Sequence, residues 1–139
     1  MDNDAVAIIE LQIALLVRRV TAITSDRKYG NLDRSAYLLL HHLSMNGAAG
    51  VKTLAGQFQL DISTASRQVS ALETKGYVYK IPDSQDRRAY SLDLTELGAR
   101  ELQVYKQARY ERVMEIVQDW SDEEREVFGR LLKKFNESL

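Results

Sequence analysis

Apolar positions recur at helical spacing near the start of the chain, where Val6, Ile9, Ile13, Leu16, Val17, Val20 and Ile23 form one row flanked by Ile8, Leu11 and Leu15. Asp4 is placed to cap this first helix. The stripe is wider than one surface helix needs for its own core, which points to a second subunit over part of it; a helix deeply buried within the monomer is the alternative. A second helix is predicted after Asp33, with Ala36, Leu39, Leu40 and Leu43 on one face and Gly47 as its stop. A short third helix covers Val51 to Phe58, with Leu54, Ala55 and Phe58 inward and Ala55 and Gly56 small enough for a close helix crossing. The turn Gln59-Leu60-Asp61 leads into a fourth helix, capped by Asp61 or Ser63, whose inward row is Ile62, Ala65, Val69 and Leu72 and which Gly76 ends.

From Tyr77 the period drops to two. Tyr77 to Ile81 and Ala89 to Leu94 alternate as half-buried strands do, and the polar stretch between them holds Pro82 and two aspartates, so a two-stranded hairpin with a charged tip is predicted. Helical spacing then returns. Thr95 is placed to cap a long helix carrying Leu97, Leu102, Tyr105, Ala108, Val113, Ile116 and Val117. Ser121-Asp122-Glu123-Glu124 is a capping-box pattern that opens a last helix with Val127, Phe128, Leu131, Leu132 and Phe135 on one side. The fold class is mainly α with a small β-hairpin (α+β). Helices three and four (residues 51–76) with the hairpin (77–94) form a winged helix-turn-helix. The helices at 4–26 and 95–137 are surplus to that module, and a two-fold dimer is the simplest place for their apolar rows.

Composition narrows this picture. With 45% hydrophobic and 28% charged residues the 139-residue chain is globular, one folding unit, and holds no apolar run near the roughly 18 residues of a membrane span. The acidic start Met1-Asp2-Asn3-Asp4 argues against a secretory signal, so a cytoplasmic protein with no membrane partner is expected. The absence of cysteine removes disulfides, thiolate ligands and thiol redox sensing together. A single proline, Pro82, fits a helical chain with one marked interruption. The net charge of −1 is unevenly spread: residues 1–50 hold five basic and five acidic residues, 51–90 six and four, and 91–139 eight and eleven. The basic middle suits nucleic acid and the acidic tail faces elsewhere.

If the fourth helix buries Ile62, Ala65, Val69 and Leu72, its geometry turns Ser63, Thr64, Ser66, Arg67, Gln68 and Ser70 outward. Hydroxyls and amides near a helix N-terminus approach base edges and phosphates closely; Arg67 can fork onto guanine and Gln68 can pair with adenine. The alternative for that face is an ordinary solvated surface. Arg87 and Arg88 at the hairpin tip are either solvated guards of an edge strand or groups for a narrow minor groove, whose negative potential attracts arginine. Asp86 would hold one of them by a charge-assisted hydrogen bond. Lys52 completes the residues expected on DNA.

The segment Asp86-Arg87-Arg88-Ala89-Tyr90-Ser91-Leu92-Asp93-Leu94-Thr95 resembles the wing signature of the MarR family of bacterial transcriptional regulators, with Asp86, Arg88, Leu94 and Thr95 at its fixed positions and Glu96-Leu97-Gly98 following. Leu54-Ala55 and Leu72-Glu73-Thr74-Lys75-Gly76-Tyr77-Val78 also resemble that family, and the likeness in length and helix order spans nearly the whole chain. The resemblance implies a homodimer with interlocked terminal helices and a near-palindromic double-stranded operator. It places recognition helices in successive major grooves on the order of 34–36 Å apart, with Arg88 in the flanking minor groove. It implies a repressor released by a small aromatic or phenolic anion held between the dimer helices and the DNA-binding lobe. Lacking cysteine, the chain departs from the peroxide-sensing branch.

Arg18, Arg19, Tyr37, Tyr105 and Tyr110 offer cationic and aromatic surface for an organic anion, and each is otherwise core or rim. Arg18, Tyr37, His41 and Tyr105 form the candidate effector set. His41 and His42, the only histidines, project about 100° apart, whereas chelation from one helix prefers a spacing of four, so neither metal nor other cofactor is expected; one histidine with remote carboxylates is the minor alternative. They line the core or the effector cleft. No acid, base and nucleophile converge in a recognisable motif, so an enzyme is not expected. A winged helix used for protein contact is the stronger rival. It would show exposed apolar anchors on helix four rather than hydroxyls.

Overall fold

In the computed structural model, which describes residues 3–24 and 31–139, six helices and three short strands follow the order α1 (Asn3–Thr24), α2 (Arg34–Asn46), β1 (Ala49–Gly50), α3 (Val51–Gln57), α4 (Ile62–Thr74), β2 (Val78–Pro82), β3 (Tyr90–Leu94), α5 (Glu96–Ile116) and α6 (Asp122–Glu137). Two compact units divide this chain, one running to Tyr105 and the other from Lys106 to Leu139. Residues 25 and 26 of the expected 4–26 helix, and the side chain of Ile23, lie outside what is described.

The core of the first unit gathers Leu39, Leu40 and Leu43 of α2, Leu54 of α3, Val69 and Leu72 of α4, Val78 and Leu92 of the sheet, and Leu102 and Tyr105 of α5. Asp33 caps α2: its Oδ1 accepts from the amide of Ala36 at 2.9 Å, and Gly47 closes the other end with φ +82°. α4 ends in a Schellman turn. The amide of Tyr77 donates to the carbonyl of Leu72 and that of Gly76 to Glu73, both at 2.9 Å, with Gly76 at φ +80°. Leu72 and Tyr77 meet in the core beside this turn.

The sheet is antiparallel in the order β1-β3-β2, with Val78 opposite Leu94 and Pro82 opposite Tyr90. The expected hairpin is therefore present, and it gains a third strand: Ala49 pairs with Leu92 and Gly50 with Ser91. Two residues are too few for alternation to register in a sequence. The strand nevertheless ties the start of α3 to the wing.

The N-terminus of α5 is fastened onto the end of α4. Thr95 Oγ1 accepts from the amide of Gly98 at 3.0 Å and donates to the carbonyl of Gly76, while the amide of Thr95 donates to Tyr77 O at 3.0 Å. A Cβ on Gly98 would collide with that same Tyr77 oxygen, so only glycine permits this approach. Burial pushes the Tyr77 hydroxyl pKa upward, with Glu101 adding to the effect.

Several details differ from the pattern-based expectations. Asp4 lies within the first turn of α1 instead of capping it, where its carboxylate still complements the positive end of the helix. Gly56 is exposed, and a Cβ placed there would meet nothing within 4 Å, so it makes no close crossing. Ile62 is 54% exposed although it extends the buried row. A helical side chain leans over the turn that precedes it, and Ile62, first in α4, has no such turn.

In the second unit, α6 opens on the expected capping box. Ser121 Oγ accepts from the amide of Glu124 at 3.1 Å and Glu124 Oε1 accepts from the amide of Ser121 at 2.9 Å; hydrogen bonds to the carboxylate from the Ser121 amide, and then from the Ser121 hydroxyl, lower the Glu124 pKa. Arg125 closes the helical hairpin by donating to the carbonyls of Val117 (3.0 Å), which also accepts from the Trp120 amide, and Gln118 (2.9 Å), just past the end of α5. Trp120 stacks on Phe128 with ring centroids 5.3 Å apart.

Candidate nucleic-acid interface

α4 shows a sharply divided surface. Ala65, Val69 and Leu72 are buried, which fixes the helix in rotation. On the other side Ser63, Arg67 and Ser70 are exposed at spacings of four and three, forming a ridge, and Thr64, Ser66 and Gln68 are half-buried along its flanks. Arg67 Nη2 donates to Thr64 Oγ1 at 3.4 Å. Asp61 occupies the N-cap position with extended backbone but its side chain accepts no capping bond, and Ser63 lies inside the first turn. Lys52 is exposed on α3.

The wing tip is shaped by aspartates acting on backbone. Asp83 Oδ1 accepts from the amide of Gln85 at 2.8 Å, and Asp86 Oδ1 accepts from the amide of Arg88 at 2.9 Å. The Asp86 carbonyl also accepts from Ala89 at 3.1 Å. Asp86 thus holds Arg88 through its amide, a charge-assisted bond that folds the turn. An aspartate reaches its own backbone two residues on without fixing a long side chain. Arg87 and Arg88 are exposed, and among the described residues neither guanidinium has an acidic partner. Lys80, not singled out by the sequence, stands between β2 and its neighbours, with Nζ 3.7 Å from Glu73 of α4 and 4.5 Å from the Tyr90 ring centroid. The alternation of β2, which sets Lys80 on the same face as Val78 and Pro82, was the only sequence signal for this bridge.

Of the candidate effector residues, three come together. Tyr37 stacks on buried Tyr105 at 4.6 Å and approaches His41 at 5.7 Å between centroids. Arg18 is exposed on α1, and among the described residues no hydrogen bond or ion pair joins it to these rings. His42 turns elsewhere, with Nδ1 3.2 Å from Asn46 Nδ2 and its ring edge-on to Phe58.

The MarR family profile matches residues 32–90, which run from α2 to the first residue of β3. The helix-turn-helix transcriptional regulator YxaD of Bacillus subtilis (strain 168) is 41% identical over 139 residues, covering 99% of this chain and 97% of that protein. This chain belongs to the MarR family. It is a helix-turn-helix transcriptional regulator and not an enzyme. Among solved structures, a MarR family protein from Bacillus stearothermophilus superposes with a TM-score of 0.77 at 25% identity, covering 99% of this chain and 97% of that one. FabT of Streptococcus pneumoniae, solved in complex with DNA, shares the fold with a TM-score of 0.65 at 19% identity over 94% and 91% of the two chains. MarR membership makes DNA the partner class of the protein. No helix among the described residues is long and apolar enough to cross a membrane.

Proposed function

We propose that this MarR protein is a homodimeric, cytoplasmic repressor that grips a near-palindromic operator. In this reading the helix-turn-helix (51–76) enters the major groove with Ser63, Thr64, Ser66, Arg67, Gln68 and Ser70 toward the bases and Lys52 toward phosphate. The wing (77–94), its turn set by Asp86, carries Arg87 and Arg88 into the adjoining minor groove. Helices 4–26 and 95–137 hold two chains together. The observation that carries this reading is the pairing of an exposed hydroxyl and arginine ridge on α4 with two exposed arginines, free of acidic partners among the described residues, on an ordered wing tip. FabT in complex with DNA supports it as a protein of the same fold.

Release would come from a small aromatic or anionic effector near Tyr37, His41 and Tyr105, where aromatic faces stand together; Arg18 supplies a cation in that proposal. Selection of bound duplexes from random DNA tests the core of the reading. A palindromic consensus with half-sites about one helical turn apart supports it, and an unstructured or asymmetric consensus rejects the two-fold arrangement.

A further inference from the structure

Arg67 is the only cation on α4, whose one other charge, Glu73, lies near the opposite end. It stands in the middle of the exposed ridge, one turn after Ser63 and one before Ser70. A lone arginine on a helix samples many rotamers, all of which must be given up on binding. Here Nη2 already donates to Thr64 Oγ1 at 3.4 Å. Thr64 can serve as an anchor because it is half-buried, on a helix whose opposite face is locked into the core.

We propose that Arg67 reads a guanine in each operator half-site and that Thr64 is the positioning residue that aims its guanidinium. This rests on the DNA-reading role proposed above for α4. A guanidinium has five N–H donors and no acceptor, so engaging one with Thr64 leaves a fork for two acceptors. Guanine alone offers two on its major-groove edge, O6 and N7; adenine and cytosine each set an amino donor against the fork. Ser63 and Ser70, which both donate and accept, cannot discriminate in this way. Gln68 is half-buried and Arg67 exposed, so Arg67 is the more accessible of the two for choosing a base.

Selection from random duplexes, run in parallel on the full-length protein and its variants, tests the assignment. The unaltered chain should select guanine at one position per half-site. Arg67→Ala should lose that preference alone, with a fall of about ten- to a hundredfold in affinity for the guanine-bearing duplex. Arg67→Gln should move the preference at that position toward adenine, a change no structural role of Arg67 would produce. Thr64→Val should cut guanine discrimination by about two- to tenfold with an unchanged salt slope, and Thr64→Ser should restore it; Thr64→Ala serves if valine disturbs the helix. An Arg67→Ala consensus identical to that of the unaltered chain overturns the reader assignment, and undiminished discrimination in both Thr64→Val and Thr64→Ala overturns the positioning role. If the unaltered chain selects no sequence, the DNA-reading role of α4 itself fails.

Discussion

At the scale of single residues, the wing and the α4–α5 junction make opposite demands. Arg88 is useful because its charge is uncommitted: its amide is held by Asp86 while its guanidinium stays in solvent. Arg88→Ala should therefore weaken operator binding and lower the salt slope by about one, with thermal stability unchanged. Titrating a labelled operator at several salt concentrations measures both, and an unaltered slope would remove Arg88 from the contact. Gly98 is useful because it lacks a side chain. Gly98→Ala sets a methyl against a backbone oxygen that cannot rotate away, so the cost should reach the upper part of the roughly 1–3 kcal/mol seen for overpacking. Gly56→Ala, in open space on α3, should be neutral or slightly stabilising; urea melts of the two variants compare them directly. Arg88 was legible in the sequence as a charge at a turn. Gly98 was legible only as a glycine three residues after a helix cap, because the oxygen it meets comes from another part of the chain.

At the scale of elements, ends were easier to read than faces. Asp33, Gly47, Gly76, Thr95 and Ser121 terminate or open helices where their chemistry predicts, since caps act over three or four residues. Ile62 and Gly56 departed from expectation because burial depends on which neighbour arrives, and β1 escaped because a two-residue strand exists only through its partner β3. The capping box of α6 allows two tests. Ser121→Ala removes the acceptor for the Glu124 amide and should cost about 1 kcal/mol, read as a lower melting temperature of the helical hairpin. The Glu124 pKa is lowered from its ordinary value of 4.5 by hydrogen bonds from the Ser121 amide and then the Ser121 hydroxyl. A depressed carboxylate pKa contributes stability that is complete above the ordinary value and is lost as pH falls through the lower folded value. Acidification below about pH 4.5 should thus erode α6 in the unaltered chain more than in Glu124→Gln, with helicity followed by circular dichroism; equal erosion would mean that the box carries no pH dependence.

At the scale of the whole molecule, apolar surface is unevenly distributed. Every buried residue of the main hydrophobic core lies between Leu32 and Tyr105, so none of the described ones comes from α1. Yet α1 exposes Val6, Ile8, Ile9, Leu11, Leu16 and Val17, each at least half accessible, and α6 exposes Phe128, Leu131, Leu132 and Phe135. A monomer in water gains nothing by presenting such faces, and the proposed two-fold dimer would cover them with copies of themselves. The separation makes a clean experiment possible. Deleting the residues before Thr21 removes these α1 side chains and no member of the core, so the winged unit should stay folded while the dimer is lost. Sedimentation should change from a dimer to a monomer, and a melting temperature that rises with concentration in the full chain should become independent of it. Operator affinity should fall with it, because two half-sites bound by one tethered pair become two separate events. A truncated chain that still sediments as a stable dimer would move the interface away from α1, and its retained affinity for a palindrome would then place the two-fold contact on helices α5 and α6 alone.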